Sequence, residues 1–231
     1  MPALSPAEIE ALLLSLRVSL WSVALSLPAG IAVAWLLARV EFPGKTLLDA
    51  LIHVPLVVPP VVVGYLLLVL LGRNGPVGGW LYDTFGISVA FSWRGAVVAA
   101  AVMSFPLMVR AIRLSIEAVD PRLEEAARTL GAGRIDVFFT VTLPLTASGI
   151  LAGTILAFAR SLGEFGATIT FVSAIPGETT TLPIALYGLI QTPGEEPAAL
   201  RLVVIAVLIA LLAMFFSEVI ARRIRRRISG S

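Results

Sequence analysis

Five long apolar runs dominate the pattern of hydrophobic and polar positions along this chain. A helix needs about 20 apolar residues to cross the hydrocarbon core of a bilayer. Four of the runs contain no Asp, Glu, Lys or Arg, and the other is interrupted only by Arg160 and Glu164. The pattern therefore predicts an all-α integral membrane protein with about five spanning helices. The runs are Val18–Ala38, Ala50–Gly72, Gly95–Val109, Val137–Phe171 and Leu202–Ser217.

Cap residues and prolines refine the ends of these elements. Ser5 followed by Pro6 favours a helix start well before the first run, because Ser is a good N-cap and Pro fits the first helical turn. Prolines in the second run remove backbone donors, so they predict a kinked helix packed inside a bundle. A sixth element, Leu182–Ile190, is too short to span a bilayer and is predicted to be an outer or re-entrant helix.

Composition supports the same class of protein. Of the 231 residues, 58% are hydrophobic and 14% are charged, and the mean hydropathy is +0.97. The longest stretch between predicted spans, Arg110–Pro144, is far shorter than a folded soluble domain of roughly 100 residues. We therefore expect a single membrane domain over residues 1–231. The N-terminus has no Lys or Arg before Arg17, so it does not predict a signal peptide.

The sequence offers little for catalysis or metal binding. It contains no cysteine, which excludes disulfides, thiolate metal sites and cysteine nucleophiles. His53 is the only histidine, and packing beside prolines is a simpler role for it than a proton relay. Lys45 follows Gly44, but Arg39 stands where a phosphate-binding loop requires its first glycine. We expect no catalytic residue, no metal and no cofactor, and neither an enzyme nor a nucleic-acid-binding protein.

The basic residues predict the orientation of the chain. Twelve of the 17 Lys and Arg residues share one side if the loop Arg39–Asp49, the segment Arg110–Pro144 and the tail after Ala221 lie together. By the positive-inside rule this side is cytoplasmic. Five crossings then place the N-terminus outside and the C-terminus inside. The arginine-rich tail is expected to be attracted to anionic membrane lipid.

The segment between the third and fourth spans, residues 120–144, contains a short helix with defined ends. Asp120 is a good N-cap, and Glu124 and Glu125 lie where the helix dipole favours negative charge. Gly131 stands where a left-handed residue commonly ends a helix. On the predicted cytoplasmic side, this segment is either an ordinary surface loop or an element that docks to a partner.

This segment resembles the EAA signature of the membrane subunits of bacterial ABC importers. The signature reads E-A-A-x3-G-x9-I-x-L-P, and here Glu125, Ala126 and Ala127 precede Gly131, while Val141–Pro144 supplies V-T-L-P. In that family the helix before the glycine docks into a groove of a cytoplasmic ATPase. The resemblance implies that the same contact is made here by Glu124, Glu125, Ala126, Ala127, Gly131 and Ala132.

Longer stretches are similar to the molybdate-permease branch of this family. They are Phe42–Arg73, Phe91–Arg113, Ala127–Arg134 and Phe158–Pro193. The resemblance implies a type I (MetI-like) importer bundle in the bacterial inner membrane that imports molybdate, or the related tungstate, by ATP-driven alternating access. Sulfate and thiosulfate permeases share the segment Ser161–Ala167, so import of those anions is the alternative. A passive channel would have no use for the coupling loop.

The same resemblance implies partners. They are a second copy of this subunit, two copies of a cytoplasmic ABC ATPase and a periplasmic molybdate-binding protein. The number of spans also favours a homodimer, because five helices are few to surround a polar path and a two-fold axis would double them.

Arg160, Ser161 and Glu164 lie inside a predicted span and are candidates for the translocation path. Ionisable side chains in a membrane usually face one another or a cavity. Arg160 and Glu164 are four residues apart on one helix face, so they form either a structural pair near the outer end of the helix or a charged station for a dianion. Gly149 and Gly153 have the G-x-x-x-G spacing that allows close helix packing, within the chain or across a dimer.

Overall fold

The computed structural model describes residues 4–228, and every regular element within that range is helical. Twelve α-helices and one π-helix follow one another along this part of the chain. They are α1 Pro6–Arg39, α2 Lys45–Val57, α3 Pro60–Leu71, α4 Pro76–Phe85, α5 Trp93–Glu117, α6 Pro121–Thr129, α7 Arg134–Val137, the π-helix Phe138–Thr142, α8 Leu143–Leu145, α9 Ala147–Leu162, α10 Gly166–Val172, α11 Leu182–Ile190 and α12 Glu196–Ile228.

Five parts of this helical chain are candidates to cross a membrane. α1, α5 and the stretch Glu196–Ala213 of α12 are each long and apolar enough alone. The bent pair α2 and α3, and the bent pair Arg134–Leu145 and α9, raise the number to five if each pair is one span. The prediction of an all-α protein with about five spans is confirmed.

α1 begins where the cap residues predict. The backbone N–H of Glu8 donates to Ser5 Oγ at 3.3 Å, and the backbone N–H of Ser5 donates to Glu8 Oε2 at 2.6 Å. This reciprocal capping box, with Pro6 in the first turn, supplies partners that the free end of a helix otherwise lacks. α1 then continues for 34 residues to Arg39.

The second apolar run forms two helices with a sharp bend between them, more than the predicted kink. The chain bends by 114° between α2, which ends at Val57, and α3, which begins at Pro60. Pro59 and Pro60 cannot donate backbone hydrogen bonds, so the helix breaks there. α3 packs closely on α10, where a Cβ at Gly64 would lie 2.5 Å from the Ala167 carbonyl oxygen. The sequence predicts that the second run packs inside a bundle. Within the described chain this holds for one face of α3, whereas no residue of α2 is buried.

The fourth apolar run is also broken. The stretch Arg134–Leu145 bends by 70° at Thr146 into α9, and α9 and α10 are separate helices. The apolar run to Phe171 is therefore divided near the interruption by Arg160 and Glu164 that the sequence shows. Gly163 is the C-cap of α9, and Glu164 Oε1 accepts a hydrogen bond of 2.8 Å from a backbone N–H in the first turn of α10. These two residues end one helix and start the next.

α5 lies at the centre of the bundle, between α1 and α9. Its fully buried residues include Ala96, Ala99, Ala100, Met103, Met108 and Ile112. The two glycines of the G-x-x-x-G spacing face it: a Cβ at Gly149 would overlap the Ser115 side chain, and one at Gly153 would lie 3.0 Å from the Met108 carbonyl oxygen. Of the two uses that the sequence left open, this spacing serves packing within the chain.

Two ion pairs mark opposite ends of the bundle. At one end, Arg39 Nε lies 3.1 Å from Glu124 Oε1 in α6. At the other end, Arg201 Nη2 in α12 lies 2.8 Å from Glu8 Oε1 in the first turn of α1. The loop after α1 and the segment after α5 therefore share one end, as the distribution of basic residues predicts. The side chains of the basic tail from residue 220 onward lie outside the described part, and the membrane orientation stays a prediction.

α11 has the bounds that the sequence predicts. The backbone N–H of Leu182 donates to Ser15 Oγ at 2.6 Å, which ties the start of α11 to α1. α11 also packs on α12. Its outer or re-entrant position relative to a membrane stays a prediction.

The ring of His53 contacts Asp49, one turn earlier on the same helix, and Asp49 also belongs to a cluster of ion pairs. Its Nδ1 is 2.8 Å from the Asp49 carbonyl oxygen and 3.3 Å from Asp49 Oδ1. Arg113 Nη1 lies 3.1 Å from the other carboxylate oxygen of Asp49 and also pairs with Glu117 at 2.7 Å through Nε. These contacts agree with the interpretation of His53 as a packing residue with a satisfied ring nitrogen.

Candidate functional site

α6 is a compact helix with a defined cap at each end. Asp120 Oδ1 accepts a hydrogen bond of 3.0 Å from the backbone N–H of Arg122, and Pro121 fills the first helical position. Gly131, just after the helix, has φ +93°, a conformation that residues with a side chain rarely adopt. The predicted helix, its N-cap and its left-handed glycine are all present.

Most of α6 and the turn after it face outward. Five of the six residues that the EAA resemblance assigns to docking are exposed or half-buried in the described chain: Glu125, Ala126, Ala127, Gly131 and Ala132. Leu123 and Leu130 add apolar surface on the same helix face, 49% and 89% exposed. Exposed apolar side chains beside small residues are typical of a surface that a partner covers.

Glu124, the sixth of these residues, faces inward. It is 5% exposed, and its Oε1 accepts hydrogen bonds from Arg39 Nε at 3.1 Å and from Thr142 Oγ1 at 2.8 Å. The sequence groups Glu124 with the docking residues, but its burial sets it apart from the other five. A carboxylate enclosed by donors of its own chain is not presented to a partner.

The segment that meets Glu124 contains a π-helix, which the sequence did not predict. The widened turns of a π-helix are frequent at functional sites. Thr142 ends this element, and its carbonyl oxygen accepts a hydrogen bond of 2.8 Å from Thr146 Oγ1. The 70° bend follows at Thr146. The Glu124 contact therefore lies one helical turn before the bend that leads into α9.

Arg160 and Glu164 form the ion pair that their spacing predicts. Arg160 Nη1 lies 2.6 Å from Glu164 Oε2, and the Glu164 side chain is 2% exposed, against 27% for Arg160. Glu164 Oε2 has no hydrogen-bond partner in the described chain, so the contact is one between opposite charges. The other oxygen of Glu164 accepts the backbone N–H of Ala167 at 2.8 Å. The carboxylate is thus fixed at both oxygens, while the guanidinium keeps an accessible side.

Ser161 locates this pair along the bundle. Its Oγ lies 2.7 Å from Ser22 Oγ, and Ser22 is midway along α1, between Pro6 and Arg39. At 1.5 Å per residue, Ser22 is about 25 Å from either end of α1. The pair does lie at the end of α9, but α9 ends at the mid-height of α1 and not near its Ser5 end. The pair thus lies near the end of its helix, as the sequence predicts, and the assignment of that end to the outer side of the membrane stays a prediction.

A row of buried serines on α1 was missed by the sequence analysis. Ser15, Ser19, Ser22 and Ser26 are each no more than 8% exposed. Ser22 Oγ donates to the Ser19 carbonyl oxygen at 2.9 Å, and Ser26 Oγ donates to that of Ser22 at 2.6 Å. Ser19 Oγ has no partner within the described chain. The signal was available, since four hydroxyls recur at helical spacing along a largely apolar helix.

The two candidate regions are separate. α9 carries the chain from the bend at Thr146 to Arg160, a distance of about 20 Å at 1.5 Å per residue. The segment 120–144 meets the end of α1 at Arg39, whereas Ser161 meets the middle of α1 at Ser22. α1 therefore contacts both regions, and so does the chain segment that continues from the π-helix into α9.

The comparison with family models gives one match over most of the chain. Residues 26–228 match the model described as "Binding-protein-dependent transport system inner membrane component". The matched range includes α6, the π-helix, the bend at Thr146 and the Arg160–Glu164 pair.

Individual relatives agree with this family. The molybdenum transport system permease protein ModB of Escherichia coli (strain K12) is 66% identical over 224 residues, which cover 97% of this chain and 98% of that protein. The sulfate transport system permease protein CysT of the same organism is 39% identical, over 87% of this chain and 72% of that protein.

A solved structure shows the same fold. It is a bacterial alginate ABC transporter in complex with an alginate pentasaccharide-bound periplasmic protein. The TM-score is 0.76 at 19% identity, covering 95% of this chain and 80% of that chain. The predicted fold class, the importer-type membrane bundle, is thereby confirmed.

Proposed function

The chain belongs to the binding-protein-dependent transport system inner membrane component family, and from that premise we propose that it is the membrane-spanning subunit of an ATP-driven molybdate importer. As a member with several candidate spans, it is a multi-pass protein of the inner membrane. The observation that carries the choice of molybdate is the 66% identity to E. coli ModB over almost the whole of both chains. Tungstate is included because it is a tetrahedral dianion of similar chemistry.

Import of sulfate or thiosulfate is the second candidate. The similarity to E. coli CysT favours it, but that relative is 39% identical and this chain covers 72% of it. Molybdate, tungstate and sulfate share their shape and charge, so the residues of the permease favour none of them by physics alone. Selectivity is expected to reside in the protein that delivers the anion.

The proposed assembly contains two copies of this chain, two cytoplasmic ABC ATPases and a periplasmic molybdate-binding protein. A two-fold axis between identical subunits doubles the helices around a path. The described chain leaves apolar side chains of α2 open to a partner or to lipid, with Leu51 60% and Val57 86% exposed. The structural neighbour is bound to a periplasmic protein, which supports delivery by such a partner here.

The proposed ATPase contact is the outward surface of α6 and the turn after it. Small side chains at Ala126 and Ala127 allow close approach of a partner, and Glu125 is free to meet basic groups or helix N-termini. Moving a two-state equilibrium from 1:99 to 99:1 requires about 5.5 kcal/mol of differential interaction. ATP binding and hydrolysis in the partner supply that energy, and a capped, compact helix transmits it.

The proposed translocation path passes Arg160, Ser161 and Glu164. The accessible side of Arg160 offsets the charge of a tetrahedral dianion, while Glu164 keeps binding weak enough for release. The mid-height position of Ser161 supports this assignment, because substrate sites in transporters lie near the middle of the bilayer. Alternating access would open the region around Arg160 and Glu164 first to one side of the membrane and then to the other.

Reconstitution tests the proposed function. The chain is purified with its ATPase, placed in proteoliposomes and supplied with a molybdate-binding protein and radiolabelled molybdate. We expect uptake that requires ATP and is reduced by unlabelled molybdate or tungstate. The same vesicles are tested with a sulfate-binding protein and labelled sulfate. Uptake of sulfate with no uptake of molybdate would replace the first candidate by the second, and uptake without ATP would contradict both.

A further inference from the structure

Glu124 connects three parts of the chain through a single oxygen atom. Its Oε1 lies 3.1 Å from Arg39 Nε at the end of α1 and 2.8 Å from Thr142 Oγ1 at the end of the π-helix. Arg39 also donates from Nη2 to the Val119 carbonyl oxygen at 3.1 Å, in the turn that enters α6. We call Arg39, Glu124 and Thr142 the latch.

The latch supplies the side-chain hydrogen bonds that join α6 to the rest of the described chain. Glu124 is the one buried residue of this nine-residue helix in the described chain. A cavity of about 230 Å³ adjoins it, lined among others by Trp35, Arg39 and Thr142. Because apolar packing under α6 is sparse, its position depends on a charged contact, which is directional in a way that apolar packing is not.

Adjacent glutamates on α6 have different surroundings. Glu125 is exposed, and Glu124 is 5% exposed. Consecutive helix residues are separated by about 100° around the axis, so one carboxylate faces out when its neighbour faces in. The two side chains have the same chemistry and nearly the same position in the sequence, and they form a matched pair for experiment.

We propose that Glu124 is a positioning residue that transmits the displacement of α6 to α1 and to the bend at Thr146. This inference rests on the proposed function, in which an ATPase moves α6. If α6 is displaced as a rigid body, Glu124 Oε1 moves with it. Because Arg39 and Thr142 both donate to this oxygen, the end of α1 and the segment before Thr146 move together. Glu125 instead contacts the ATPase.

The first test compares E124Q with E125Q in the complete transporter. E124Q is expected to co-purify with the ATPase as wild type does and to hydrolyse ATP, but to import several-fold less molybdate per ATP, because the amide oxygen can still accept both hydrogen bonds but lacks the charge that strengthens them. E125Q is expected to lose ATPase during purification. If E124Q loses the ATPase instead, Glu124 is a docking residue and the proposal is overturned. Wild-type import per ATP in E124Q would overturn it as well.

Two further variants separate the latch from general damage to the fold. The exchange R39E with E124R restores opposite charges, and we expect it to recover part of the import per ATP that E124Q loses. T142V removes one hydroxyl donor and nearly preserves volume, and we expect a smaller loss in the same ratio. If E124Q does not reach the membrane, T142V decides: import per ATP equal to wild type would overturn the proposal.

A distance measurement in the isolated chain distinguishes failure of the latch from failure of the proposed function. The chain has no cysteine, so E41C and R122C at exposed positions place one spin label at the end of α1 and one on α6. We expect a narrow distance distribution that broadens on addition of E124Q. A distribution unchanged by E124Q would overturn the proposal even in a working importer. If the distribution broadens but no ATP-driven import is found, the latch does hold α6 against α1, and it is the proposed function that is contradicted.

Discussion

Ser22 of α1 and Ser161 of α9 share a hydrogen bond of 2.7 Å between their hydroxyl oxygens in the interior of the bundle. Both residues are buried, at 0% and 4% exposed. The bond joins the middle of the first helix to the helix end that bears Arg160. It sets the level at which the charged pair lies.

Removing this bond is predicted to have a modest cost. S22A and S161A should each destabilise the folded protein by about 0.6 kcal/mol and by no more than about 1.7 kcal/mol, the range for hydrogen bonds between membrane helices. The double variant should cost less than the sum, because no hydroxyl is left without its partner. Thermal unfolding in detergent measures all three. Additive effects would show that the two hydroxyls do not interact.

The charges of Arg160 and Glu164 are predicted to matter for transport and not only for stability. R160Q alone should destabilise the protein, because it leaves the buried Glu164 carboxylate without its cation. R160Q combined with E164Q removes both charges and should recover most of that stability. If the pair lies on the path, the double variant still imports molybdate poorly. Wild-type uptake by a stable double variant would assign the pair a structural role alone.

The ion pair of Glu8 with Arg201 is predicted to hold α12 against the start of α1. Arg201 Nη2 and Nε lie 2.8 and 3.2 Å from Glu8 Oε1. E8Q removes the charge but keeps an acceptor oxygen, so it should lower the free energy of unfolding by about 1 kcal/mol, the difference between hydrogen bonds to charged and to neutral groups. E10Q, which changes an exposed glutamate on the same helix, is the control. Equal unfolding temperatures for E8Q and E10Q would contradict the prediction.

Close packing at Gly149 is predicted to be intolerant of one methyl group. G149A introduces a Cβ that overlaps the Ser115 side chain, and such overpacking costs about 1–3 kcal/mol. G188A in α11 is a matched control, because a Cβ there meets no atom of the described chain within 4 Å. We expect G149A to unfold at lower temperature than wild type and G188A to be neutral or more stable. Similar behaviour of both would place Gly149 away from α5.

The left-handed backbone of Gly131 is predicted to be necessary for coupling. A Cβ there meets no described atom within 4 Å, so the obstacle to a side chain is the conformation at φ +93° and not space. G131V should strain the turn by roughly 1–2 kcal/mol and reduce molybdate uptake, while membrane insertion is retained. G131N should be milder, because Asn tolerates this conformation. Equal uptake by G131V and wild type would count against the coupling assignment.

Local features were within reach of the sequence because they depend on neighbouring residues. The capping box at Ser5, the helix from Pro121 and the left-handed Gly131 follow from cap and turn chemistry over a few positions. The candidate spans follow from hydropathy alone. Breaks were harder to place, since the prolines of the second run predicted a kink but not a bend of 114°, and the bend of 70° at Thr146 was not predicted.

The inward direction of Glu124 was decided by tertiary structure. Its partner Arg39 is 85 residues away, and Ser22 and Ser161 are 139 residues apart. Hydropathy and helix periodicity describe one helix at a time, and they determined that this chain builds apolar helices long enough to span a membrane and a short capped helix from Pro121. Tertiary packing decided the rest, because only packing brings distant donors and acceptors within hydrogen-bond distance. It determined which of two adjacent glutamates is enclosed and at what height the ion pair lies.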